Sequence, residues 1–391
     1  MKIEIPEQGA MLFSPWQLKS VKARNRVVIS PMVQFSASDG FPSDWHLVQL
    51  GRFALGGAGI VFVGATAITP EGRITSGDLG LWRDEQIAPL ARIAKFLKDE
   101  GSVPAIQIAH AGRKANTRRP WLGLGLGPLT EEDYARGEER WQTVAPSALP
   151  AGKGYPSPRE LNPVDLKTLR AAWRAAALRA LAAGFEIIEV HAAHGYLLHE
   201  FLSPLANKRS DAYGGDFAGR IRFPLEVIEE LRDVIPAEVP FFVRVSAEDG
   251  VEGGWSLADT VRFAKELKIR GVDVVDCSSG GIIGGAATLN ARPHELGFQV
   301  PLAEAVRAEA DIMTMAVGLI IKADQAEAIL RKGQADLIAI GREALANPNW
   351  TLYAERALHK KDDYSLWPKQ FRLYLANRAQ RLKALGYADW V

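Results

Sequence analysis

The chain carries one cysteine, Cys277, in 391 residues. A disulfide framework within the chain is excluded, and a reducing cytoplasm suits the composition. Net charge is nearly absent as well, at +1. No global field draws the chain to nucleic acid or to an anionic membrane surface. Long apolar runs are also missing. The longest, at 175–190, is broken by Arg179 and Glu186. It falls short of the roughly 18 uncharged residues that a membrane span needs. The opening MKIEIPEQGA has no apolar stretch and no cleavage-like site. The expectation is a cytoplasmic protein with no membrane or nucleic-acid partner. A G-x-G-x-x-G turn after the first strand-like run is absent too, which weighs against a doubly wound dinucleotide fold.

Hydrophobic residues make up 47% of the chain, ample for a large core. Short apolar runs fall at 26–30, 59–63, 103–108, 185–190, 241–245, 272–276, 312–316 and 336–340. They are nearly continuous in apolar character, as parallel strands buried on both faces should be. Amphipathic stretches at 86–100, 166–183 and 256–270 read as helices between them. Eight strand–helix units predict a (β/α)8 TIM barrel. We read residues 1–391 as one domain, with a long Gly/Pro/Trp-rich connection at 115–163 and a C-terminal tail at 351–391. The connection has the length of a lid or binding loop. The run Gly280-Gly281-Ile282-Ile283-Gly284-Gly285 opens no helix and reads as a mobile loop.

Polar residues gather where the strand-like runs end. Gln34, Thr66, Gln107, His110, Arg113, Lys114, Ser278 and Arg342 are among them. Barrel active sites form at that carboxyl-end face. Arg244 lies inside an apolar run and requires a buried partner. Cys277 has no basic neighbour to activate it and reads as packing.

The stretch EVHAAHGYLLHEFLSPL at 189–205 is the densest in chemistry. It places His191, His194 and Tyr196 within six residues. Two histidines three apart cannot share one face of an extended strand. They can if the strand has ended and a helical turn has begun. Three readings stay open on this motif alone: packed core histidines, a converging pair of hydrogen-bond donors, or a metal site. The last lacks an obvious third ligand nearby.

In combination the motifs resemble the old yellow enzymes, and within them the bacterial subgroup near xenobiotic reductases and NADPH dehydrogenases. The resemblance rests on Arg24-Asn25-Arg26, Ser30-Pro31-Met32, Ala65-Thr66 and Pro70-Glu71-Gly72-Arg73. It continues through QIAHAGRK at 107–114, HAAHGY at 191–196, NKRSDAYGG at 207–215 and Gly341-Arg342. It implies a noncovalent FMN reduced by NADPH or NADH. By the family pattern Ser30, Pro31, Met32, Val33, Ala65 and Gln107 meet the flavin ring. Arg244 sits at its edge, and Gly318, Gly341 and Arg342 hold the phosphate. His191 and His194 bind the carbonyl oxygen of an α,β-unsaturated substrate, Tyr196 supplies a proton, and Phe35 flanks the substrate. Reductant and substrate react in ping-pong order, and no metal takes part. Arg372 is the residue a homo-oligomer, dimer or tetramer, would lend to a neighbour's site, with Trp367, Phe371 and Tyr374 as an apolar anchor. Val33 stands where many relatives carry cysteine, and Phe35 where tyrosine is frequent. The alternatives are a flavin monooxygenase or a CoA-thioester redox enzyme on the same barrel and, from another class, a metal-dependent barrel hydrolase.

Overall fold

The structure is a computed structural model that describes residues 9–123, 125–284, 295–359 and 364–387. Eight parallel strands close into a barrel. They are β1 Val27–Ile29, β2 Ile60–Ala67, β3 Val103–Ala109 and β4 Ile187–Ala192. β5 Phe241–Ser246, β6 Val274–Ser278, β7 Met313–Ala316 and β8 Leu337–Ile340 complete it. Closure is explicit in the register, since Ile338 pairs Val27 and Val28 pairs Ile60. Each predicted run holds a strand, shifted by up to a few residues. The largest extension is β2, which continues past the 59–63 run to Ala67.

Helices alternate with the strands and cover the outside. They are α1 Asp44–Leu55, α2 Ile87–Asp99, α3 Pro163–Ala182, α4 Phe217–Arg232 and α5 Leu257–Ile269. α6 Val300–Ala310, α7 Ala323–Arg331 and α8 Trp350–His359 follow. Local chemistry sets their starts. Asn162 accepts the Val164 and Asp165 amides, and Pro163 opens α3 with its φ already helical. Ser256 and Asp259 exchange hydrogen bonds across the first turn of α5.

The barrel interior has two halves. The lower half is apolar, with Val28, Ile60, Phe62, Ile187, Phe242 and Met315 in one cluster. A hairpin of Trp16–Leu18 and Val21–Ala23 packs Trp16, Val21 and Ala23 into that cluster. It forms the floor. The upper half is polar, because register sets Gln107 beside Glu189, and Arg244 between His191 and Asp276. Among the described residues no helix is long and apolar enough to cross a membrane.

Two readings need amendment. The glycine-rich loop is tethered where it is described. The carbonyls of Gly280 and Ile282 accept from Ser246 Oγ at 2.7 Å and Arg113 Nη2 at 2.8 Å, and that of Gly281 accepts from Lys114 Nζ. Gly285 lies outside the described residues. Second, Trp367 is buried in its own chain beside Leu352, Tyr364 and Ala379, so it is unavailable as an intersubunit anchor. Phe371 and Tyr374, on α9 Lys369–Ala384, are exposed. Cys277 is fully buried as expected, and burial pushes its thiol well above the usual range.

The floor makes a stability test. Phe242 meets Trp16 edge-on at 6.3 Å and Phe62 at 6.1 Å. Phe242→Ala should destabilise the fold by about 3–5 kcal/mol. A denaturant midpoint close to that of the parent would show that the floor is not packed as described.

Candidate active site

One cleft of about 400 Å³ opens at the carboxyl ends of the strands. Every residue assigned from the sequence lines it except Arg372. Ser30, Pro31, Met32, Val33 and Phe35 follow β1, and Ala65 and Gln107 come from β2 and β3. His191 lies one residue before the end of β4, Arg244 lies in β5, and Gly318, Gly341 and Arg342 follow β7 and β8. Arg372 instead donates to the Trp367 carbonyl at 2.7 Å.

The histidines converge, but not by a helical turn. His191 is still in the strand, and His194 takes a left-handed conformation at φ 62°. That turn brings the rings to 5.0 Å, nearly perpendicular. Tyr196 stands 5.1 Å from the His191 ring. Gly195 is required at φ 74°, since a Cβ there would lie 2.2 Å from the Gly281 carbonyl. Lys114 locks the turn by donating to the carbonyls of His194, at 2.9 Å, and Gly281. The Gly195 amide donates to His199 Nδ1 at 2.8 Å, and His199 Nε2 meets Asp249 at 2.9 Å. Phe35 at φ 51° and Leu319 at φ 50° also line the cleft. Backbone strain of this kind gathers where function over-determines conformation.

Hydrogen bonds set the tautomers. The Ala193 amide donates to His191 Nδ1 at 3.3 Å, which leaves the ring proton on Nε2. That proton points to His194 Nδ1 at 3.3 Å, so His194 carries its own on Nε2. Ser278 Oγ receives it at 2.7 Å and has Gln299 Oε1 at 3.4 Å. Burial drives both imidazoles well below their usual range, and Arg244 adds to it. They are neutral donors at neutral pH. Burial first, then Asp78 and Tyr155, pushes the Tyr196 phenol up, so it stays protonated.

Arg244 Nε pairs Asp276 at 3.0 Å, and Nη1 donates to Ser30 Oγ at 3.2 Å. Glu189 lies nearby and accepts from Gln107 Nε2 at 2.8 Å. Burial pushes Asp276 up to about 6 against the pull of Arg244. Burial, with Asp276 adding, raises Glu189 well above its usual range, so it favours the neutral acid. Reading the sequence missed Asp276 as the arginine's partner. It also missed Gln299, and it placed Ser278 at a strand end without a role. Cross-strand register supplies these partners, and no local spacing encodes it.

The residues present fit an FMN. The amides of Gly318, Leu319, Gly341 and Arg342 border the cleft and donate to no acceptor among the described residues. Unpaired amides with room for close approach suit a phosphate. The apolar walls at Met32, Val33 and Ala65 suit a flat ring, and Arg244 and Gln107 offer donors at its edge.

A closed parallel barrel with such a cleft defines the class of flavin-binding barrel oxidoreductases. Residues 11–361 match the NADH:flavin oxidoreductase / NADH oxidase family. The chain is 42% identical over 350 residues to an NADPH dehydrogenase of Geobacillus sp. (strain WCH70), covering 89% of this chain and 94% of that one. It is 44% identical over 352 residues to the NADPH dehydrogenase of Bacillus licheniformis, covering 90% and 95%. Its fold is similar to that of the old yellow enzyme homologue from Zymomonas mobilis, with a TM-score of 0.72, 26% identity and coverage of 91% and 96%. This chain belongs to the NADH:flavin oxidoreductase / NADH oxidase family, that of the old yellow enzymes, and is an FMN-dependent NAD(P)H oxidoreductase. Membership sets aside the barrel hydrolase.

The charge row generates a test. Arg244→Met leaves Asp276 buried without its cation and should lower stability by about 3–5 kcal/mol. The double variant with Asp276→Asn should recover much of that loss. Denaturant titration of the apoprotein compares the three, and a double variant no better than Arg244→Met would refute the pairing.

Proposed function

We propose that this chain reduces the activated carbon–carbon double bond of α,β-unsaturated carbonyl compounds, with NAD(P)H as reductant. It works as one FMN-binding unit in the cytoplasm. The observation that carries the reading is the convergence of two neutral imidazoles and a protonated phenol on one wall of the cleft. FMN, when bound, supplies the hydride that it has received from NAD(P)H. Residues 30–33, Ala65 and Gln107 would hold its ring, Arg244 its polar edge, and Gly318, Gly341 and Arg342 its phosphate.

His191 offers its Nε2–H to the substrate carbonyl oxygen. His194 faces that oxygen with Nδ1, which accepts in the resting tautomer. With an oxygen docked, the favoured tautomer carries the proton on Nδ1. Ser278 then donates to Nε2 instead of accepting from it. Both donors stabilise negative charge as it builds on the oxygen, each by about 2.7–4 kcal/mol in comparable sites. Tyr196 delivers a proton to the α-carbon. Phe35 and Val33 wall the substrate with apolar surface.

His191→Ala and His194→Ala should each slow flavin reoxidation by cyclohexenone about 10²–10³-fold. Reduction by NADPH should change far less. Ser278→Ala should weaken binding of a phenol by about 1–3 kcal/mol, since it strands a buried imidazole nitrogen. Anaerobic stopped-flow traces separate the half-reactions. Equal slowing of both would show that the histidines do not serve the carbonyl oxygen.

Arg372 reaches no part of its own cleft. Its assigned role therefore requires a second copy, presented on the exposed Phe371 and Tyr374 face of α9. Sedimentation at micromolar concentration should give a dimer or larger, and a monomer would remove the role.

A further inference from the structure

Behind Tyr196 lies a second cavity of about 10 Å³. One water needs about that much room. β2 and β3 wall it with alanines, among them Ala67 and Ala109. Only two lining side chains carry polar atoms, Tyr196 and Asp78. Tyr196 also lines the large cleft, so its ring stands between the two spaces. Among the described residues its hydroxyl has no protein partner.

Asp78 is nearly sealed, at 2% exposure. Its own loop holds it. Oδ2 accepts the Ile74 amide at 2.7 Å, and Oδ1 accepts the Thr75 amide at 3.1 Å and hydroxyl at 2.9 Å. Each carboxylate oxygen has two acceptor sites, so Oδ2 keeps one unused on a side chain that lines the cavity. A water there would find two polar partners, the minimum for an ordered buried water.

We propose that Asp78 resupplies the proton of Tyr196 through one water held in this cavity. The proposal rests on the reading of Tyr196 as the acid. As the Tyr196 O–H bond breaks, a C–H bond forms at the substrate α-carbon and charge is left on the phenolate oxygen. The water gives a proton to that oxygen and takes one from the Asp78 carboxyl. The carboxylate regains a proton from solvent after product leaves. No oxidation state changes in these steps.

Asp78 must be protonated to serve. Burial pushes its carboxyl up to about 6, against its hydrogen bonds to Ile74 and Thr75 and the charge of Arg73. The charged and titratable groups that face it are Arg73, on its own loop, and Tyr196 across the cavity. The walls from β2 and β3 add none. An ionised Asp78 opposes phenolate formation, since its charge raises the Tyr196 pKa. The acid form relieves that opposition. The proton step should therefore slow as pH rises through about 6.

The test uses reduced holoenzyme mixed with two acceptors. Cyclohexenone needs a proton on carbon, and benzoquinone gains its hydrogens on oxygen. Asp78→Asn should slow reoxidation by the enone at least about tenfold. It should leave the quinone rate within about twofold and flatten the enone pH profile. Asparagine puts an amino group against an amide N–H, so the loop could suffer. Ala67→Val is the second variant: it fills the cavity with a β-branched side chain that a strand accommodates. Both polar groups stay in place, and the enone rate should again fall alone. The relay is refuted if either variant keeps the parent enone rate, or if both acceptors slow equally. Tyr196→Phe in the same assay separates the two claims. If it leaves the enone rate untouched, the reading of Tyr196 as acid falls, and the relay with it. If it slows the enone while the other variants do not, the relay alone falls.

Discussion

A guanidinium inside a barrel has to be answered by its surroundings, and Arg244 is answered on three sides. Asp276 on β6 balances its charge, Ser30 after β1 takes a hydrogen bond, and His191 on β4 lies beside it in register. These partners lie on different strands and meet only because the sheet closes. The consequence spreads outward. The positive charge adds to burial in holding both imidazoles neutral, so they act as donors without becoming cations. It also makes Asp276 tolerable in a site that otherwise favours the protonated acid. Burial sets the protonation pattern of the cleft, and this one strand residue modulates it at each neighbour.

Polarity inside the barrel is divided by height. Below, Phe62, Phe242 and Met315 fill the space without hydrogen-bonding needs. Above, Gln107, Glu189, His191, Arg244 and Asp276 form a belt in which nearly every group leans on a neighbouring strand. The alternation along each strand that produces this division is period two. Glu189 and His191 face the same way, as do Phe242 and Arg244. The belt is therefore an extension of the core by two residues per strand, with polar side chains substituted at the last layer.

Much of this could be read from the chain. Parallel strands buried on both faces leave continuous apolar runs, and eight such runs alternating with helices leave little choice of architecture. The cleft residues were legible because they cluster at strand ends and in motifs with fixed spacing. Other features had no local signal. Asp276 looks like any acidic residue in an apolar run until register sets it against Arg244. The left-handed His194 is a tertiary outcome, enforced by Lys114 and the Gly281 carbonyl. Gly195 was the one hint that the chain turns there. Asp78 sits in a loop with no motif to mark it, and its meaning comes from a cavity. Trp367 looked like a surface anchor because a tryptophan in a tail has no sequence cue for which chain buries it.

The hairpin floor has a further consequence. With Trp16 packed against Phe242, the barrel is stopped at its lower end, and the cleft opens only at the other. Two bulky reactants that both need the ring face of one cofactor must use a single doorway. They exclude one another by volume alone, without any change of conformation. Each is then an inhibitor of the other's turn. At high concentration the nicotinamide holds back the oxidising substrate, and that substrate holds back the nicotinamide. Under such exclusion the ratio of the two reactants, and not their amounts alone, bears on how fast the cofactor turns over.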